Sequence, residues 1–203
     1  MDVGVLRLIA ITDDLRDGLE GLVARAAAAV RGGATMVQLR LKDAEPRVLV
    51  EVARALVKTV PAPVVVNDRV DVALAAGAAG VHVGHEDLPA AAVRRIVPVS
   101  FIVGASVGGD SDVGNASDAD YVGIGPVFAT ASKLDAGEPI GLSELTRLAR
   151  ICGLPAVGIG GIDARNVASV IGAGAVGVAV IRAVFSAADP ERAAREIRSA
   201  SGT

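Results

Sequence analysis

The sequence predicts an α/β protein: a single (β/α)8 TIM-type barrel over residues 1–203. Three observations lead there. Eight short apolar, β-branched runs recur along the chain, separated by stretches of helical periodicity. The runs are apolar throughout rather than alternating, which suits parallel strands covered on both faces. Finally, "AAGAAGVHVG" (75–84) is echoed by "GAGAVGVAVI" (172–181). A likeness four strands apart fits a barrel of two half-barrels better than the alternative, an open doubly wound sheet.

The strands are expected at Leu6–Thr12, Met36–Arg40, Val64–Asp68, Gly80–Gly84, Phe101–Ser106, Tyr121–Gly125, Ala156–Gly161 and Gly177–Ile181. Among the helices, Leu19–Arg31 is alanine-rich. Val48–Val57 places Leu49, Val52, Ala53 and Leu56 on one stripe, and Leu142–Ile151 and Pro190–Ser199 read similarly. Gly108–Asp120 carries only a faint helical pattern. The small residues of the echo suit helix C-caps that turn tightly into strands. No linker, low-complexity tract or second domain is visible.

Composition excludes several function classes. A net charge of −3 does not suit binding driven by phosphate neutralisation of a nucleic acid. Phe101, Tyr121, Phe128 and Phe185 leave little aromatic surface for stacking on bases. Cys152 is the one cysteine, which excludes an internal disulfide and a thiolate metal cluster, and its helical position does not suit a nucleophile. Asp2, Arg7, Asp13 and Asp14 interrupt any secretory leader. The longest apolar run, Val167–Ile181, is broken by Ser169 and glycines, so it is a poor membrane span. The expectation is a cytoplasmic protein that binds neither nucleic acid nor membrane; a homo-oligomer stays open.

In such a barrel the chemistry gathers at the C-terminal ends of the strands. The second expected strand ends in Gln38, Arg40 and Lys42, which alternation sends to one face. The third ends in Asn67 and Asp68, and the fourth in His82, Gly84 and His85, followed by Asp87. The fifth ends at Ser106. The sixth runs into Pro126 and "FATASKLDAGEP", a loop that can close over a substrate and carries Thr130, Ser132 and Lys133. Gly160 and Gly161 end the seventh, Ile181 and Arg182 the eighth. Each residue alone has a bland explanation. A Lys or Arg there is usually solvated, Asp68 suits the cap of a helix beginning near Arg69, His82 suits a satisfied core histidine, and Gly160–Gly161 suits a tight turn. Polar groups on seven strand ends at once are harder to explain that way.

The pattern suits anionic substrates. Asp68 and Asp87 offer hard oxygen ligands of the kind that hold Mg²⁺ beside substrate phosphates. Arg40, Lys42 and Lys133 supply cations for the same phosphates. The glycines after the seventh strand and the turn after the eighth match the phosphate site common in this fold. Two small-molecule anions are therefore expected: a Mg²⁺-bound polyphosphate beside the second to fourth strands, and a phosphate beside the seventh and eighth.

The stretches "GGATMVQLRLKD", "VVVNDRVDVALAAGAAGVHVGHEDLP", "ADYVGIGPVFATASK" and "AVGIGGI", in that order, closely resemble the thiamine phosphate synthase family over nearly the whole chain. The resemblance implies a transferase that joins a hydroxymethylpyrimidine diphosphate to a thiazole phosphate by a dissociative, Mg²⁺-assisted route. It implies Asp68 and Asp87 as metal ligands. Arg40, Lys42, Asn67, Ser106, Thr130, Ser132 and Lys133 would contact diphosphate, with Lys133, Arg40 and Ser106 closest to the chemistry. Gln38 and His82 would neighbour the pyrimidine, and Gly161, Ile181 and Arg182 the thiazole phosphate. This chain departs from the family pattern at three places. His85 stands where glutamine is usual, Val107–Gly108 follow Ser106 where a histidine is often found, and Arg182 replaces a serine. A related thiazole tautomerase uses a histidine where this chain has Pro126. A non-catalytic paralogue that binds thiamine phosphates and a purely structural protein are the remaining alternatives.

Overall fold

A computed structural model describes residues 1–130 and 137–202. The eight strands are β1 (Leu8–Ile11), β2 (Met36–Leu39), β3 (Val64–Asn67), β4 (Gly80–Val83), β5 (Ile102–Val107), β6 (Tyr121–Ile124), β7 (Ala156–Ile159) and β8 (Gly177–Val180). They pair in sequence order, all parallel, and β8 pairs back onto β1 to close the barrel. The doubly wound alternative is thereby excluded. Every predicted strand is present, but most end a residue or so early, while β5 runs on to Val107. Leu6, expected at the start of a strand, instead ends a 3-10 turn, Val3–Leu6, that plugs the barrel's lower end.

The helices among the described residues are α1 (Gly18–Arg31), α2 (Pro46–Thr59), α3 (Val70–Ala76), α4 (Ala90–Arg94), α5 (Asp110–Val113), α6 (Gly141–Cys152), α7 (Val167–Gly172), α8 (Arg182–Phe185) and α9 (Pro190–Ser201). The faint helical pattern after β5 becomes only α5 and one 3-10 turn. The Asp112 carboxylate accepts the backbone N–H groups of Gly108 and Gly109 and so caps the start of α5. None of the described helices is long and apolar enough to cross a membrane.

Two apolar layers follow from strand alternation. Outward residues such as Val37, Val64, Val66, Val81, Val103 and Val178 pack against the buried stripes of the helices, including Leu49, Val52, Ala53 and Leu56 of α2. Inward residues form a smaller cluster around Ile9, Ile11, Met36, Val65, Tyr121, Val157 and Ala179. The sequence echo has a structural cause. Before β4, Gly77 sits at φ +69° and Ala78 bonds back to Ala73; before β8, Gly174 sits at φ +101° and Ala175 bonds back to Val170. The same left-handed exit turns each helix into its strand.

Closure also fixes the first residue of β8. A Cβ on Gly177 would lie 1.9 Å from the Leu6 carbonyl oxygen and 2.7 Å from Arg7 Cα, which are backbone atoms held by the β1–β8 seam. A Cβ on Gly172, at the end of α7, would meet nothing within 4 Å. Gly177→Ala is therefore expected to cost about 2 kcal/mol or more of unfolding free energy. Gly172→Ala is expected to be neutral or stabilising by up to about 1 kcal/mol. Urea denaturation of the two variants checks the seam; similar effects of both would contradict it.

Candidate active site

The strand ends surround one large cleft of about 1090 Å³. Gln38, Arg40, Lys42, Asn67, Asp68, His82, Asp87, Ser106, Thr130, Gly161, Ile181 and Arg182 all line it. Ser132 and Lys133 lie outside the described residues, as does half of the loop expected to close over substrate.

Its floor is a buried polar network. His82 points inward from β4, and its ring nitrogens lie 3.0 Å from the Tyr121 hydroxyl and 3.0 Å from the Ser106 hydroxyl. Register explains the contact. His82 of β4 is level with Gly104 of β5, which is level with Tyr121 of β6. A Cβ on Gly104 would lie 2.3 Å from the Tyr121 ring and 2.5 Å from His82 Nδ1. Glycine there lets two side chains meet across an intervening strand. Burial pushes the His82 imidazole down to about 4, against a smaller opposing pull from the Asp87 charge. Burial likewise holds the Tyr121 phenol above its ordinary range, against a hydrogen bond with Gln38. At neutral pH this floor is polar but uncharged.

The rim is charged. β2 stops at Leu39, so Arg40 and Lys42 are presented by the segment after the strand rather than by strand alternation as expected. Thr12, fully buried at the end of β1, supplies the missing ladder partner: its hydroxyl accepts the Arg40 N–H at 2.8 Å and donates to the Arg40 carbonyl at 3.0 Å. After the next two strands, β3 and β4, lie the two carboxylates. The helix that Asp68 was expected to cap has Arg69 at its N-cap position, with no side-chain cap bond from that residue. Instead Asp68 takes φ +64°, the one non-glycine residue with positive φ among those described, and its N–H donates to the His82 carbonyl at 2.7 Å. Asp87 accepts the Gly84 N–H at 2.8 Å. A Cβ on Gly84 would lie 2.9 Å from Asp87 Oδ2 and 3.9 Å from Asp68 Oδ1, so both carboxylates converge over that glycine. No group of three or more His, Cys, Asp or Glu placed to hold a metal occurs among the described residues.

On the far side, Gly160 and Gly161 do more than turn the chain. Side chains there would strike Pro126 and the Phe128–Ala129 backbone, so these glycines let the loops after β6 and β7 lie against each other. Arg182 is exposed at the start of α8, on the cleft's edge. Tyr121 is the wall residue that reading for charge missed. Its place follows from register: Tyr121 lies on an inward position level with Gly104 of the neighbouring strand, which leaves room for its ring.

Fold and cleft define a (β/α)8-barrel enzyme whose site combines a charged rim with a neutral polar floor. A family model described as thiamine monophosphate synthase matches residues 8–184. A thiamine-phosphate synthase of Roseiflexus sp. (strain RS-1) is 50% identical over 194 residues, 93% of this chain and 82% of that protein. One from Xanthobacter autotrophicus is 46% identical over 200 residues, 96% of this chain and 95% of that protein. A solved thiamine phosphate pyrophosphorylase from Pyrococcus furiosus superposes with a TM-score of 0.85 at 39% identity, over 98% of this chain and 97% of that one. The chain belongs to the thiamine monophosphate synthase family, and it is a transferase.

The burial of His82 has a consequence for stability. Its folded pKa lies below its unfolded value, so its contribution is fully present above about pH 6.5 and is lost as pH falls toward about 4. This one group should remove on the order of 3 kcal/mol of unfolding free energy across that window. His82→Gln should flatten the slope there in urea titrations at pH 7, 5.5 and 4.5. Equal slopes in the variant and the parent would contradict a buried, neutral imidazole.

Proposed function

We propose that the enzyme joins a hydroxymethylpyrimidine diphosphate to a thiazole phosphate, releasing diphosphate and yielding thiamine phosphate. The carrying observation is the cleft itself, with cations and two converging carboxylates on its rim above an uncharged floor. The family match and the names of the relatives support the same reading.

Two carboxylates fit Mg²⁺, an ion that usually takes one or two protein carboxylates and completes its shell with water and phosphate oxygens. Asp68 and Asp87 would hold it; when bound, it would neutralise charge on the leaving diphosphate. Arg40 and Lys42 meet the same oxygens as charge-assisted donors. Asn67, Ser106 and Thr130 add neutral hydrogen bonds; Ser132 and Lys133 keep the diphosphate role that the resemblance implies. Gln38 and His82 orient the pyrimidine. Because His82 is uncharged, it does not oppose positive charge that develops on the pyrimidine's methylene carbon as diphosphate departs. That favours a dissociative route, in which the thiazole nitrogen captures the cation. The phosphate of the thiazole sits near Gly161 and the Ile181–Arg182 turn. Holding the two reactants in line is the remaining contribution, and no strong base is required. A tautomerase reading would find Pro126 on the cleft wall where its histidine belongs.

Incubation with both substrates and Mg²⁺ should give thiamine phosphate by mass detection. Binding of both substrates with no product would identify a paralogue without turnover and would overturn the proposal. For the metal ligands, Asp87→Ala should cost about 3 kcal/mol or more in the barrier, a hundredfold or greater loss. Asp68→Gly should lose turnover comparably yet stay folded, because glycine accepts φ +64° freely. Near-parental turnover and Mg²⁺ dependence in either variant would remove that aspartate from the ligand set.

A further inference from the structure

We propose that Arg25 is a positioning residue for the phosphate end of the cleft. From α1 it clamps the loop after β1 to the short helix after β8, and thereby sets the wall that receives the thiazole phosphate. The inference rests on the functional reading above and adds a residue that lies outside the cleft.

Arg25 sits in the middle of α1, with only 13% of its side chain exposed. Nη2 donates to the Asp14 carbonyl at 2.8 Å, and Nη1 donates to the Phe185 carbonyl at 3.4 Å. Nη1 also lies 3.4 Å from Asp13 Oδ1 and 3.7 Å from Asp17 Oδ2. The guanidinium stands over the Phe185 ring, 5.9 Å from its centroid. Asp13 extends the clamp, because the Ser186 hydroxyl donates to its other oxygen at 3.3 Å. One side chain thus joins the loop after the first strand to the helix after the last, directly above the seam that closes the barrel.

Two features argue for position over stability. The Arg25 Nε is buried with no hydrogen-bond partner among the described residues. A buried charge with an unmet donor is a weak source of stability. What the planar fork does supply is a fixed spacing between two carbonyls on separate segments. The other feature is the shortness of α8. Four residues contain too few internal bonds to hold an orientation, so external contacts must set it. Arg182, Ala183 and Ser186 of this segment line the cleft, so a tilt of α8 moves the phosphate wall directly. The pyrimidine end lies at β2–β4, and none of its cleft residues belongs to the segments Arg25 holds.

The consequence is selective. Arg25→Met keeps the length and the packing on Phe185 but loses the clamp. It should raise the KM for the thiazole phosphate about tenfold, while the KM for the pyrimidine diphosphate changes less than about twofold. Ser186→Ala, at an exposed position, should shift the same ratio of KM values by about threefold. If Arg25→Met fails to fold, Asp13→Asn, which weakens the clamp from a residue outside the cleft lining and should shift the ratio the same way, decides the matter. An unchanged ratio, with only thermal stability lowered, would make Arg25 merely structural and overturn the inference. The parent enzyme in the same assay separates the two levels: no product from the parent defeats the functional reading, whereas product from the parent with an unchanged ratio in the variants defeats only the clamp.

Discussion

The hydrogen-bonded seam between β8 and β1 is the constraint on which the rest of the molecule depends. A parallel sheet that closes on itself has no free edge and puts every strand's C-terminal end on one rim. Residues distant in sequence then become neighbours without any dedicated contact between them. Arg40, Asp68, Asp87 and Arg182 share one cleft for this reason. Closure also demands close backbone approach, which is why Gly177 stands where any Cβ would strike the Leu6 carbonyl.

Closure creates a second problem, since a barrel interior must be filled. Below, apolar residues and the 3-10 plug fill it. Above, polar side chains take over, and each needs a partner. His82 and Tyr121 satisfy each other across Gly104, and Ser106 meets the remaining ring nitrogen. The result is a vertical division of charge. Deep in the cleft, burial keeps the imidazole and the phenol neutral, while Arg40, Lys42 and the two aspartates stand at the rim. A substrate with a flat heterocycle and a charged tail matches this division, heterocycle down and tail at the rim.

Much of this was legible in the sequence because strand alternation and helix stripes are local signals. All eight strands and the clustering of the described site residues at one end follow from them. Where sequence reading failed, a nonlocal contact decided. β2 ends before Arg40 because Thr12, from another strand, takes over its backbone bonds. Asp68 reads as a helix cap, yet Arg69 takes the N-cap position and the Asp68 N–H donates to the His82 carbonyl of the next strand. Tyr121 was counted only as one of few aromatics, because its importance depends on the register of three strands. Arg25 carried no motif at all; its role emerges only once the first and last strands are neighbours.

The central proposal is a diphosphate site at the β2–β4 rim, which Mg²⁺ on Asp68 and Asp87 would complete. Calorimetric titration of the enzyme with inorganic diphosphate, with and without Mg²⁺, tests it most directly. The account predicts binding that strengthens at least about tenfold when Mg²⁺ is present, since two carboxylates facing an anion repel it until a cation intervenes. Equal affinity in both conditions, or no binding in either, would contradict it.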